Sequence, residues 1–421
     1  MSSLTTHPLT APSEYDTFLR MADIAFSPQP SEESFQGWKQ FITHRPDFRP
    51  EQMRGVFRDG QLLGGCILHE YVLRMGAARI STGCIGAVVT LPDYRKQGVA
   101  SALMQDTVDF AQRNNHLLLM LDGIPKFYHR YGYIDMFDFT ALEVERSAIL
   151  AQPATGYTTR RATIDDASDR VALYNHCFGA YTGSFDRSFA FQQYRLGHTQ
   201  NPPIVALSPQ GRVVGYLIHG TEDGIVIARE IAAYDWNALL TLLQHHAHLF
   251  DGENAPRTLF YHLPLDAPMT QWMIDTLEVP DTSQWHSPPE EWGVRSLIYH
   301  HRNTGWMTRL VNFPVLMTAI LPELQNRWQR SLAQWSGDIT LAVDGESCVL
   351  HIEGRNLQLI AHPTTSAYRL KLTSQAFIQA IFGYRQLSRL TNVTHFSEEA
   401  RAALSILFPM GHTWIPGSDW F

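Results

Sequence analysis

Apolar positions along the first 150 residues change period repeatedly, and each change predicts an element. Ser13 to Ala25 carries Tyr15, Phe18, Leu19 and Ala22 at helical spacing, and the proline-rich Ser27–Pro30 ends that helix. Ser31 to Thr43 repeats the period with Phe35, Trp38, Phe41 and Ile42. Val56–Arg58 and Gln61–Tyr71 read as strands joined at Asp59-Gly60, a pair suited to a tight turn with positive φ. A strand over Ile80–Thr90 runs into Tyr94–Ser101. Beyond it Ala100, Leu103, Met104, Thr107, Val108 and Ala111 stripe one face of a helix over Val99–Arg113. Leu117–Asp122 is almost wholly apolar, the signature of a strand covered on both faces. An aromatic turn, Phe127–Tyr133, and a closing strand near Phe139–Glu145 complete the series.

After an alanine, proline and glycine boundary at Ala151–Gly156 the same grammar returns. Thr158–Thr163 is strand-like and Ala167–Cys177 helical. Ile204–Ser208 and Val213–His219 make a hairpin about Gly211, and Ile225–Tyr234 is a strand followed by a helix over Asn237–Leu249. A polar linker near Tyr299–Thr304 opens a third region. It is read as a helix over Trp306–Arg330 and then a meander of Ile339–Val343, Ser347–Ile352, Leu357–Ala361 and Ala367–Leu372. Helices over Ser374–Phe382 and Ser397–Leu407 follow. Helices on an antiparallel sheet predict an α+β layer there, behind two α/β segments.

Between the Cys84–Thr90 strand and the Val99 helix lies the stretch of greatest chemical interest, Tyr94-Arg95-Lys96-Gln97-Gly98-Val99-Ala100-Ser101. A strand that breaks into a glycine loop and then a helix leaves backbone N–H groups unpaired at the positive end of the helix dipole. That combination suits a phosphate. Gly98 lets an anion approach the backbone closely, and Arg95 and Lys96 add charge at the rim. At the equivalent place in the second segment the chain reads Ala233-Tyr234-Asp235-Trp236-Asn237, with no glycine or arginine and with a carboxylate that repels a diphosphate.

Composition narrows the class. A chain of 421 residues that is 44% hydrophobic and 18% charged is globular and too long for one core. Lys plus Arg number 33 against 41 for Asp plus Glu, a net charge of −8, which argues against nucleic acid and favours cationic ligands. Cys66, Cys84, Cys177 and Cys348 form no C-x-x-C pair and read as reduced thiols of a cytoplasmic protein. No signal peptide, membrane span or metal-ligand spacing is apparent, and His245-His246-Ala247-His248 reads as one helix face.

Three features in order resemble the GNAT acetyltransferase family: the strand Gly86-Ala87-Val88-Val89-Thr90, the loop Arg95-x-x-Gly98-x-Ala100, and the turn Phe127-Tyr128-His129-Arg130-Tyr131-Gly132-Tyr133. Gln97 stands where that family commonly has a basic residue. The resemblance covers roughly residues 13–150. Taken over nearly the whole chain, the order resembles the enhanced intracellular survival (Eis) type. This implies a catalytic GNAT domain over 1–152, a degenerate GNAT-like domain over 153–300 and a sterol-carrier-protein-like domain over 301–421.

The resemblance further implies an acetyl-CoA-dependent N-acetyltransferase acting by direct transfer to a primary amine of a cationic small molecule, aminoglycoside- or polyamine-like. Protein lysines, or a non-catalytic acyl-CoA- or lipid-binding module, are the alternatives. Cofactor contacts are expected from Val88, Val89, Thr90, Arg95, Lys96, Gln97, Gly98, Val99, Ala100, Ser101 and Ile124. The amides at the end of the Val88–Thr90 strand are expected to polarise the thioester oxygen. Tyr128 is the candidate acid, a phenol near pKa 10 against a thiolate near 8.5. The terminal carboxylate of Phe421 is the implied partner of the amine, and Phe26 and Trp38 are candidates to line the acceptor cleft. His69, Glu70 and His129 are weaker candidates. No metal is expected, and a homo-hexamer is implied.

Overall fold

A computed structural model describes residues 3–124, 126–199, 201–222, 224–252, 255–277, 296–302, 305–360 and 367–419. In chain order the first elements are β1 (Thr5–Pro8), α1 (Pro12–Phe26), α2 (Glu32–Thr43), β2 (Met53–Arg58), β3 (Gln61–Met75), β4 (Ala78–Thr90), α3 (Val99–Arg113), β5 (Leu118–Asp122) and β6 (Ile134–Asp135). Next come β7 (Phe139–Glu145), α4 (Arg146–Leu150), β8 (Thr158–Arg161), α5 (Ala167–Phe178), α6 (Phe189–His198), β9 (Ile204–Leu207), β10 (Val213–Glu222), β11 (Ile225–Ala233) and α7 (Trp236–His248). They are followed by β12 (Thr258–His262), α8 (Pro268–Leu277), β13 (Ser296–His301), β14 (Trp306–Leu310), α9 (Phe313–Arg330), β15 (Gly337–Val343), β16 (Glu346–Glu353) and β17 (Asn356–Ile360). The last are β18 (Tyr368–Leu372), α10 (Ser374–Ile381), α11 (Leu387–Leu390) and α12 (Glu398–Leu407).

The chain divides into two compact units. One holds the described residues as far as Phe137 and those from Gly305 to Thr413; the other holds Asp138–Arg302 and the segment from Trp414. The first unit contains a seven-stranded sheet of order β1-β2-β3-β4-β5-β14-β6 and a four-stranded sheet of order β17-β16-β15-β18. The periods predicted for α1, α2, α3 and the Asp59-Gly60 hairpin recur in the structure. Ser31 caps α2 by accepting from the Ser34 amide at 3.1 Å, and Asp59 and Gly60 take φ of 51° and 77°. Helix α3 lies on the sheet through Val99, Leu103, Met104, Val108 and Ala111, which join Val56, Leu63, Cys66, Leu68 and Ile85 in one core.

In the first unit three details depart from the sequence expectations. The polar N-terminus forms β1, an edge strand paired with β2 from Thr5↔Phe57 to Pro8↔Arg54. Trp306–Leu310 is not the start of a helix but strand β14, lying between β5 and β6 and antiparallel to both. The small sheet is no simple meander, because β18 returns parallel to β15.

The second unit has its own seven-stranded sheet, β13-β7-β12-β11-β10-β9-β8, with a core that includes Val144, Tyr174, Tyr216, Ile231, Leu239, Leu243, Leu259 and Tyr261. Strand β7, expected to close the first sheet, pairs here with β12 and β13. Asp235 caps α7: its Oδ1 accepts from the Ala238 amide at 2.8 Å and its Oδ2 from the Tyr157 hydroxyl at 3.2 Å. The helix terminus that would otherwise attract a phosphate is thus occupied by the chain's own carboxylate.

Candidate active site

The site begins where β4 and β5 separate. They run parallel from Thr82↔Leu118 to Ile85↔Leu121, and β4 continues to Thr90 paired with β3 only. The cause is a bulge. Gly65 of β3 faces Val89 and Ile67 faces Gly86, so Ala87 and Val88 together oppose Cys66, and Ala87 takes a φ of 51°. From Gly86 onward the backbone of β4 has no β5 partner, and its peptide groups are left for a ligand that presents amide groups in strand fashion. Val88 packs on the core under α3, whereas Val89 packs on the opposite core with Ala87 and Leu91. Thr90 stays paired with Gly64.

Just beyond, Lys96 (φ 62°) and Gly98 (φ 87°) are both left-handed, and Gly98 is the N-cap of α3 with no side chain to cap it. The carbonyl of Gly98 accepts from the Ala102 amide at 2.9 Å, which leaves the amides of Val99, Ala100 and Ser101 as the unpaired donors of the first turn. Arg95, Lys96 and Gln97 are exposed around them, while the Val99 side chain is buried and offers only its backbone. Gln97 is held in place, its Oε1 accepting from Arg58 at 2.9 Å and its Nε2 donating to the Asp93 carbonyl at 2.8 Å. This neutral side chain therefore orders the loop at a position that is commonly basic. The residues fit a diphosphate: two left-handed turns, orphan amides, a helix dipole and two exposed cations converge on one loop.

Tyr128 opens a single helical turn, Tyr128–Tyr131, that Gly132 ends at φ 86°. Its ring lies edge-on to Phe127 (4.9 Å) and Tyr133 (6.1 Å) in the same core as Val99 and Cys66. Gly123 is required beneath it, because a Cβ there would come within 2.4 Å of the Tyr128 ring. The Tyr131 hydroxyl and Ser101 Oγ are 3.1 Å apart, which ties the turn to the first turn of α3. Burial, followed by the charges of Cys66, Tyr131 and Asp122, pushes the Tyr128 phenol up to about 12. It stays protonated at neutral pH. Complete transfer to a thiolate near 8.5 is therefore uphill by about 5 kcal/mol in bulk-water terms. A sulfur leaving into the same poorly hydrated surroundings has its own pKa raised, which narrows that gap.

The other candidates separate clearly. Phe26 and Trp38 come together at the α1–α2 junction, with ring centroids 6.1 Å apart and Trp38 Nε1 donating to Ser27 Oγ at 3.1 Å; Phe26 is 51% exposed. Ile124 is exposed next to the Tyr128 turn, its carbonyl accepting from the Phe127 amide at 3.1 Å. His69 is structural: it is buried, its Nδ1 lies 2.9 Å from Arg45, and burial and that cation depress its pKa. Glu70 pairs with Arg49 and His129 with Asp135. Phe421 lies outside the described residues. Sequence reasoning missed Gly123 and the Ala87 bulge, since neither a lone glycine nor an alanine in a strand carries a periodic signal.

A family model for the acetyltransferase (GNAT) domain matches residues 7–134. Solved structures share the fold over the full length. A protein of Enterococcus faecalis V583 described as a "probable N-acyltransferase" has TM-score 0.72 at 17% identity, covering 100% of both chains. A GCN5-related N-acetyltransferase from Kribbella flavida has TM-score 0.72 at 15% identity, covering 100% of this chain and 99% of its own. Eis1 from Mycobacterium abscessus has TM-score 0.65 at 16% identity, covering 100% of both. No curated protein sequence matches significantly. The likenesses establish the architecture, and the matched segment contains the strand split, the amide cradle and Tyr128. Residues 7–134 thus match an acetyltransferase (GNAT) domain, and acyl transfer is the activity class that this domain supports.

Proposed function

We propose that the chain transfers an acetyl group from acetyl-CoA directly to a primary amine of a cationic small molecule of the aminoglycoside or polyamine class. One observation carries this reading: the split of β4 from β5, the unpaired amides of Val99–Ser101 and the Tyr128 phenol share one core and one sheet edge. The cosubstrate supplies an activated thioester. The α3 amides, with Arg95 and Lys96, hold its diphosphate; the free edge of Gly86–Thr90 orients its amide-bearing arm and presents N–H groups to developing negative charge. Tyr128 donates to the departing sulfur as the carbon–sulfur bond breaks. The net charge of −8 and the Phe26–Trp38 aromatic pair favour a cationic acceptor.

The degenerate character of 153–300 and the sterol-carrier-like character of 301–421 belong to this proposal. Asp235 capping α7 supports the first, and helices on a four-stranded sheet support the second. A hexamer and a role for the Phe421 carboxylate rest on the resemblance alone. Thiol release from acetyl-CoA with a panel of polyamines, aminoglycosides and lysine peptides tests the function. Release with the cationic small molecules, cut about 100-fold in kcat by Tyr128→Phe with CoA affinity retained, is expected. A preference for lysine peptides would make the chain a protein acetyltransferase, and silence with every amine would make it a binding module. Deleting Trp420 and Phe421 in the same assay reads out the terminal carboxylate.

A further inference from the structure

Asp122 ends β5 at the place where β4 has already left it, since the last pair between those strands is Ile85 with Leu121. On the other side Asp122 is paired with Trp306 of β14. The backbone of Gly305 (φ 100°) passes so close that a Cβ there would stand 2.7 Å from Asp122 Oδ1. The adjoining Gly123 amide donates to the Gly305 carbonyl at 3.0 Å, closing main chain behind the carboxylate. The Asp122 side chain nevertheless remains exposed, and among the described residues its carboxylate makes no hydrogen bond or ion pair. It is within electrostatic reach of Tyr128, whose ring rests on Gly123. The surrounding protein also raises the carboxyl's own pKa, which makes it a better proton acceptor than an ordinary aspartate.

An accessible, unpaired carboxylate braced by main chain next to the acid is a place for an ammonium. We propose that Asp122 binds the acceptor's ammonium at the open end of the β4–β5 split and takes its proton. This deepens the acyl-transfer reading and rests on it. An alkylammonium near pKa 10.4 is neutral in only about one molecule in 2500 at pH 7, so the step needs a proton acceptor. The ammonium gives one proton to Asp122, which passes it to water. The freed nitrogen lone pair forms the C–N bond and the C–S bond breaks. The leaving sulfur takes the Tyr128 proton, and the second proton lost by nitrogen returns to the phenolate. The sum is amide, thiol and one proton released to solvent.

The test compares the full chain with Asp122→Asn in thiol release, using a polyamine and, separately, a hydroxylamine that is largely neutral at the assay pH. Asp122→Asn is expected to lower kcat/KM about 100-fold for the polyamine and less than about threefold for the neutral nucleophile, with unchanged CoA affinity. An equal fall with both acceptors would show a merely structural role and overturn the proposal, as would undiminished turnover of the polyamine. Asp122→Ser replaces Asn if the latter disturbs CoA binding. Absence of thiol release by the unaltered chain would sink the acyl-transfer reading itself, a result distinct from failure of the Asp122 role.

Discussion

At Gly98 the backbone turns through φ 87° immediately before the first amides of α3, and this one torsion aims the cradle. A Cβ at that position would meet only Leu4, at 3.7 Å, so alanine is opposed by torsion rather than by crowding. Left-handed geometry costs a non-glycine residue about 1–2 kcal/mol. Gly98→Ala is therefore expected to weaken CoA binding roughly tenfold by calorimetry, with little loss of overall stability. Gly98 and Arg95 drew attention in the sequence because a glycine and a cation before a helix suit an anion, and Tyr128 because its turn resembles that of the GNAT family. Asp122 was not. A single aspartate at the end of an apolar strand looks like solubilising punctuation until β14 and Gly305 are seen closing behind it.

Helix α3 presents that loop, and a buried ion pair pins the helix to the sheet. Arg54 Nε and Nη2 meet Asp106 Oδ2 and Oδ1 at 2.6 and 2.7 Å, with both side chains about 5% exposed. Removing one partner strands the other charge in the core, so Asp106→Ala is expected to cost about 3–5 kcal/mol in denaturant unfolding. Replacing both partners with apolar residues is expected to cost less, because no charge is then left unpaired. Among the elements, α1, α2, α3 and the hairpins followed from period and turn chemistry. The placement of β7 and β14 did not. Trp306–Leu310 reads as the start of a helix and Phe139–Glu145 as the close of the first sheet, and only long-range pairing puts Phe139–Glu145 in one sheet and Trp306–Leu310 in the other.

Over the whole molecule, each unit is built from two stretches of chain, and the second is closed by its C-terminal segment. There β11 pairs with β12 only at Ile227↔Phe260 and Ala228↔Tyr261. Past that point Gly417 donates to His262 Nδ1 at 3.1 Å, and Asp419 lies 2.9 Å from Arg187, which also holds the buried Glu230 at 2.8 Å. The second unit thus fills with its own tail the split that the first leaves open. His262 and His246 are buried in that unit, and burial pushes their pKa values down to about 4 and about 3. Below about pH 6.5 the unfolded chain takes up protons that these folded histidines refuse, so their contribution is full above that pH and is lost as pH falls toward 4 and 3. Between pH 7 and 5 the second unit is expected to lose about 2 kcal/mol for each histidine, read by hydrogen exchange of its core amides; unchanged protection would contradict their burial as neutral rings. The sequence alone determined most local elements, the glycine loop before α3 and the aromatic turn, because period, handedness and charge are local properties. Only the tertiary structure decided which strands share a sheet, where β4 and β5 part, and which carboxylate stands at that opening. Those depend on contacts between residues distant in the chain, which no local pattern encodes.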